Sequence, residues 1–185
     1  MIENFEELCG QALACRRCSL FETRTQVVFG VGNPQAEVMI IGEGPGKDED
    51  AQGLPFVGRS GQLLDKLLEH VGLSRESNLY IANMVKCRPP QNRDPRPEET
   101  QQCLAWLRNQ TYLIKPKIIV CVGRIAAMNI IDPNFKVTQQ HGQFIKRGGT
   151  LLMGTFHPAA LLRNPANKPL ALGDMLLLRD KIKEV

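Results

Sequence analysis

Apolar residues recur along this chain in two alternating rhythms. Residues 2–14 carry Ile2, Phe5, Leu8, Ala12 and Leu13 near helical spacing, which predicts a short helix leading into Cys15. Residues 37–42 (EVMIIG) are a short apolar run ending in glycine, the pattern of a buried strand. Leu63, Leu64, Leu67 and Leu68 then repeat at helical intervals, predicting an amphipathic helix over 60–71 that Gly72 stops. A second strand, LYIAN (79–83), follows. Pro97 suits the first position of a helix, with Glu98 and Glu99 complementing the dipole of its first turn. A third strand, KIIVCVG (117–123), runs into a short helix at 124–130. Residues 143–156 read as two short strands around Arg147-Gly148-Gly149, and 168–184 as a closing helix.

Strand alternating with helix implies an α/β sandwich on a mostly parallel sheet. A length of 185 residues fits one domain spanning 1–185, because single cores stop growing above ~250 residues. Ligands of such sheets sit beyond the carboxyl ends of the strands. The loops there are 43–58, 84–97 and 157–167, and they have the least ordinary composition in the chain. The first alone holds four glycines, two prolines and four acidic residues.

Composition narrows the class only a little. Hydrophobic residues make up 43% and charged ones 23%, ordinary for a globular protein. The single tryptophan and two tyrosines add nothing. A net charge of +4 permits a nucleic-acid partner without requiring one. No apolar run approaches the ~20 residues needed to span a bilayer. The opening MIENFEELCGQ lacks the features of a secretory signal. The expected location is the cytoplasm, where thiols stay reduced.

Cysteine usage therefore needs another explanation, and metal binding comes first. The six cysteines stand at 9, 15, 18, 87, 103 and 121. Cys15 and Cys18 form a CxxC pair, Cys87 follows a strand and Cys103 lies in the next helix, so four thiolates from two distant segments can converge on one site. The spacing is not that of a ferredoxin. On spacing alone, four-cysteine zinc and an iron–sulfur cluster both remain open. Arg16, Arg17, Lys86 and Arg88 flank these cysteines and would offset a negatively charged cluster. Cys121, inside an apolar strand, reads as a small core residue, and Cys9 as packing.

The run Gly42-Glu43-Gly44-Pro45-Gly46 after the first strand invites a nucleotide-binding reading, which fails. GxGxxG needs glycine where Lys47 stands, and a phosphate loop needs Ser or Thr where Asp48 stands. Glycines here instead let backbone approach a flat ligand, or simply close a strand-end turn.

Four segments resemble one family: GEGPGKDED (42–50), PFVGRSGQLL (55–64), NMVKCRPPQNRDPRP (83–97) and HPAALLRNP (157–165) are similar, in order and spacing, to the motifs of family 4 uracil-DNA glycosylases. With the CxxC before them and Cys103 after the third, the likeness covers nearly the whole chain. It implies a three-layer αβα sandwich, hydrolysis of the N-glycosidic bond of uracil flipped out of DNA, and a structural [4Fe-4S] cluster on Cys15, Cys18, Cys87 and Cys103.

The same resemblance implies a uracil pocket. Phe56 matches the aromatic that stacks on the flipped base; read blindly, it is a core residue. Asn83 matches the amide that reads the uracil edge, since an amide offers both donor and acceptor; its plain alternative is a turn cap. His157 matches the imidazole that bonds a uracil carbonyl and stabilises charge on the departing base; its plain alternative is a loop cap. Glu49 matches the carboxylate that crowds the place of thymine's methyl group. Gly42 and Gly44 match the motif glycines. Gly44 stands where sibling families carry a water-positioning aspartate, which leaves Glu43 as the nearest acid to orient water, with Asn83 a further contributor.

For DNA, Leu161, Leu162 and Arg163 are placed to wedge into the duplex, and Lys86, Arg88, Arg93 and Arg96 to contact phosphates. A solvated basic face or charge compensation of a cluster explains those cations equally well. His141-Gly142 stands where relatives often have Arg-Gly, and Leu172 where they often have tryptophan. The arginine- and histidine-containing insertion of a covalently cross-linking cousin family is absent from 142–156, which implies turnover. Nothing suggests an obligate dimer, so a monomer is expected. Competing readings are a glycosylase for another deaminated base such as hypoxanthine, a non-catalytic cluster-bearing DNA-binding module, and a zinc-stabilised nucleotide-binding protein.

Overall fold

The computed structural model describes residues 4–185. Helix α1 (Phe5–Leu13) falls within the expected 2–14, of which Ile2 lies outside the described residues. Strands β2 (Val38–Gly42) and β3 (Leu79–Asn83) and helix α3 (Arg59–Glu69) take their sequence-predicted places. So do α4 (Pro97–Ile114), β4 (Ile118–Val122), α5 (Arg124–Ile130) and α8 (Lys168–Ile182). Residues 143–156 form β5 (Phe144–Arg147) and β6 (Thr150–Thr155), with Gly148 at φ +59° in the turn between them.

The sheet has six strands among the described residues. A short β1 (Val31–Gly32) pairs antiparallel with β3 at one edge; β3, β2, β4 and β6 run parallel, and β5 closes the other edge antiparallel. Alternate residues of each buried strand face opposite helical layers, as the period-two geometry of a strand requires. Met39, Ile41, Tyr80, Ala82, Ile119 and Cys121 pack under α4 and α5 against Leu107, Ile114, Ala126 and Ala127. Val38, Ile40, Leu79, Ile81, Ile118 and Val120 pack on the other face against Leu64 and Leu68 of α3 and Met175 and Leu178 of α8. The result is the three-layer αβα sandwich. Cys121 is fully buried in its core, and Cys9 packs beside the other cysteines.

All four leucines of α3 are needed because the helix touches two bodies. Leu64 and Leu68 meet the sheet, while Leu63 and Leu67 pack against Phe156, Leu161 and Ala171. Truncating a buried leucine such as Leu68 to alanine costs about 2–5 kcal/mol.

Two segments expected to be loops contain helix. Within 43–58 lies α2 (Lys47–Gln52), six residues with no apolar periodicity for a sequence pattern to find. Acids in its first turn match the dipole, and Gly53 ends it at φ +74°. Within 157–167 lies α7 (Pro158–Arg163), opened by Pro158 at its first position. A single turn, α6 (Val137–Gln140), was likewise not expected.

Candidate active site

Parallel strands β2, β3, β4 and β6 end on the same side of the sheet, with Gly42 opposite Asn83 and Val122 opposite Thr155. Beyond those ends opens a cleft of about 840 Å³, lined by Glu43, Gly44, Glu49, Phe56, Asn83, Arg93, His157 and Arg163 among others. Gly42, at the end of β2, lies against the Asn83 and Phe56 side chains that line it. A Cβ there would stand 2.5 Å from both the Asn83 Oδ1 and the Phe56 Cζ, so only glycine lets the amide and the ring lie this close to the strand.

Asn83 is 1% exposed, and its Oδ1 is the one buried side-chain polar atom among the described residues that lacks a hydrogen-bond partner. An unpaired buried acceptor costs about 1–3 kcal/mol, and this one is free to take a donor from outside the chain.

His157 caps α7. Its Nδ1 accepts the Ala159 N–H at 3.1 Å, which places the ring proton on Nε2 and makes Nε2–H a donor. Burial lowers its pKa to about 4, with the Arg163 cation adding and Glu49 opposing. The imidazole is therefore neutral at physiological pH. Gly123 makes room for it at φ +92°; a Cβ there would lie 2.8 Å from that of His157. The Phe56 and His157 rings stand 5.8 Å apart, tilted by 34°.

Two carboxylates differ sharply in their surroundings. Glu43 has no side-chain hydrogen bond among the described residues; burial raises its pKa to about 7, with Asp94 adding and Arg124 opposing. Glu49 is 8% exposed and bonded to three backbone amides: Gly46 N–H at 3.1 Å, Val57 N–H at 2.9 Å and Gly58 N–H at 3.0 Å.

The structure sorts the basic residues. Lys86 is 2% exposed, with Nζ donating to the Asn83 carbonyl at 2.9 Å and Gln110 Oε1 at 2.6 Å, so it is no phosphate contact. Arg93 lines the cleft, but its guanidinium grips Glu99 at 2.8 and 2.7 Å and holds that carboxyl down at about 2. Arg88 does not line the cleft, and its Nε donates to Asn92 Oδ1 at 2.7 Å. Leu161 is buried in the core and cannot be a wedge, whereas Leu162 is half-buried and Arg163 exposed.

Cys15, Cys18, Cys87 and Cys103 line a second, smaller pocket. Three N–H groups point at their sulfurs: Arg24 Nη1 to Cys87 at 3.3 Å, Trp106 Nε1 to Cys15 at 3.3 Å and the Lys86 backbone to Cys103 at 3.2 Å. Arg17 stacks over the Trp106 ring, 4.3 Å from its centroid. Burial raises the thiols of Cys18, Cys87 and Cys103, the last to about 11. Arg24 and Trp106 escaped sequence reasoning, although Trp106 follows Cys103 by three residues and so shares its helix face.

A family profile described as the uracil DNA glycosylase superfamily matches residues 29–176. The chain belongs to the uracil-DNA glycosylase superfamily. It is 42% identical over 172 residues to a type-4 uracil-DNA glycosylase of Archaeoglobus fulgidus, covering 89% of this chain and 86% of that one. A type-4 uracil-DNA glycosylase of Thermotoga maritima is 45% identical, over 83% of this chain and 81% of its own. Identity to a type-5 uracil-DNA glycosylase of Pyrobaculum aerophilum is lower, 30% over 70% of this chain and 64% of that one. The superfamily match holds Gly42, Glu49, Phe56, Asn83 and His157 but begins after Cys15 and Cys18. The CxxC pair lies outside the matched residues, whereas Cys87 and Cys103 lie within them.

Proposed function

We propose that this chain hydrolyses the N-glycosidic bond of uracil in DNA, acting on a base flipped into the cleft. The observation that carries this reading is the unpaired Oδ1 of Asn83 beside the Nε2–H of a neutral His157 and the Phe56 ring. Uracil presents one imide N–H between two carbonyl oxygens. The Asn83 oxygen accepts that N–H, its amide donates to one carbonyl and His157 donates to the other. Cytosine presents an acceptor where uracil has its N–H, and meets an unpaired oxygen there.

Bond cleavage leaves an oxocarbenium-like sugar and a uracil anion. A neutral imidazole whose pKa is about 4 stabilises that anion by hydrogen bonding without needing a proton of its own to spare. Glu43, with no side-chain hydrogen bond among the described residues and a pKa near 7, is the group that orients water toward the sugar. Glu49 cannot swing aside, because three amides hold it, so a methyl group entering beside it meets a fixed anion. Arg163 and Leu162 enter the duplex where the base leaves, and Arg88 and the exposed side of Arg93 face phosphates.

The thiol pocket fits a [4Fe-4S] cluster held by Cys15, Cys18, Cys87 and Cys103. Three N–H groups aimed at sulfur and the adjacent Arg24 and Lys86 suit an anionic thiolate-bound group. When bound, it supplies a rigid cross-link between the CxxC segment and the β3–α4 region. The protein works as a monomeric single domain in the cytoplasm; no helix among the described residues is long and apolar enough to cross a membrane.

The test is release of uracil from a labelled single-uracil oligonucleotide, with thymine and hypoxanthine controls. Release at uracil alone supports the reading. Release only at hypoxanthine, or DNA binding with no release, replaces it with the corresponding alternative.

A further inference from the structure

Phe56 has a positive φ of 53°, an uncommon left-handed conformation for a bulky side chain. A residue in that region stays there only when its surroundings restrain it. Here the restraint comes from both sides of the backbone. Arg75 donates Nη1–H to the Pro55 carbonyl and Nη2–H to the Phe56 carbonyl, each at 2.8 Å. Asp65 of α3 holds the same guanidinium at Nε (3.1 Å) and Nη2 (2.7 Å). The Glu49 carboxylate takes the next two amides, Val57 and Gly58, from the opposite side. Gly61 completes the seat, since a Cβ at that position would lie 1.9 Å from the Phe56 carbonyl oxygen.

We propose that Arg75, oriented by Asp65, is a positioning residue for the base pocket: its bidentate grip on the Pro55 and Phe56 carbonyls fixes the left-handed turn that sets the Phe56 ring against the flipped base. A planar guanidinium suits the task, because two carbonyls on successive residues need two donors in a fixed fork. Arg75 does not itself line the cleft and is only 14% exposed, so it acts through the Phe56 backbone it holds. The inference rests on Phe56 stacking on the base, and the test separates the two.

The experiment is a double-mutant cycle of Arg75→Met and Phe56→Ala, read as single-turnover uracil excision, with melting temperature and affinity for abasic-site DNA measured alongside. Arg75→Met is expected to slow excision roughly 10- to 30-fold, below the ~100-fold cost of a 1 Å misplacement, with abasic-site affinity unchanged within about two-fold. On the Phe56→Ala background, the same change is expected to add less than about two-fold, since its effect passes through that ring. Multiplicative losses, or a slow Phe56→Ala with a normal Arg75→Met, overturn the role of Arg75. A normal Phe56→Ala overturns the stacking reading beneath it. Should Arg75→Met not fold, Asp65→Asn keeps the shape, loosens the guanidinium and is expected to lose ~3- to 10-fold with the same dependence on Phe56; a full-rate Asp65→Asn, or one whose loss multiplies with that of Phe56→Ala, overturns the proposal.

Discussion

The buried ammonium of Lys86 donates to the main-chain carbonyl of Asn83, 2.9 Å away, from behind the cleft. Its second acceptor, Gln110 Oε1, belongs to an amide that in turn donates to the Phe29 carbonyl and the Tyr80 hydroxyl. The next residue along is Cys87, and the Lys86 backbone N–H is bonded to the Cys103 sulfur. One residue thus joins the strand end that carries Asn83 to the thiol pocket.

Replacing Lys86 by methionine fills much of the same volume but leaves two buried acceptors without donors. The expected loss is about 2–4 kcal/mol of stability, measured by denaturant unfolding. Wild-type stability in this variant would show that the contact carries no weight.

Removing the cleft donors should act on rate. His157→Ala and Asn83→Ala are each expected to lower uracil excision by ~100-fold or more, about 2.7 kcal/mol of transition-state stabilisation. His157 also leaves a signature in stability. Its folded pKa is depressed from the ordinary 6.5 to about 4, so it contributes stability above 6.5 that is lost as pH falls toward 4. Unfolding free energies followed across that window should show a shallower acid decline in His157→Ala than in the wild type.

Glu43 gives the opposite sign. Its folded pKa is raised from 4.5 to about 7, so the folded state holds the proton more tightly, and that contribution is lost as pH rises through about 7. If the carboxylate orients water, excision should climb through about pH 7, and Glu43→Gln should be slow and flat over the same range. The same variant should be more stable than the wild type above pH 7, by about 1 kcal/mol after solvent screening. A Glu43→Gln protein with normal rate and an unchanged pH profile would remove the residue from the chemistry.

For the thiol pocket, Cys87→Ser and Cys103→Ser are expected to lower bound iron and the melting temperature together, because thiolate ligation is coupled to folding. Cys121→Ser, in the core of β4, should leave iron content untouched. Full iron in Cys87→Ser would strike that residue from the ligand set.

The loops that line the cleft were readable from the chain, because in a parallel sheet strand ends are where ligands gather. Asn83 and His157 were singled out only by the resemblance, since read alone each is as well a loop cap. Spacing also paired Cys15 with Cys18 and set them with Cys87 and Cys103. By contrast, α2 has no apolar stripe, so nothing local marked it; its helix is held by Glu49, whose carboxylate reaches back to Gly46 and forward to Val57 and Gly58. Lys86 read equally as a phosphate contact, a solvated charge or compensation for a cluster, and only the packing showed it 2% exposed.

What the sequence determined by itself is the order of the longer strands and helices and the loops that meet at the carboxyl edge of the sheet. Those follow from hydrophobic periodicity and turn residues, which act over a few positions. The tertiary structure alone decided which polar group answers which. Trp106 reaches Cys15 across 91 residues, Arg24 reaches Cys87 across 63 and Arg75 reaches Phe56 across 19. A hydrogen bond depends on placement within a few tenths of an ångström, and only the packed layers fix distant segments that closely.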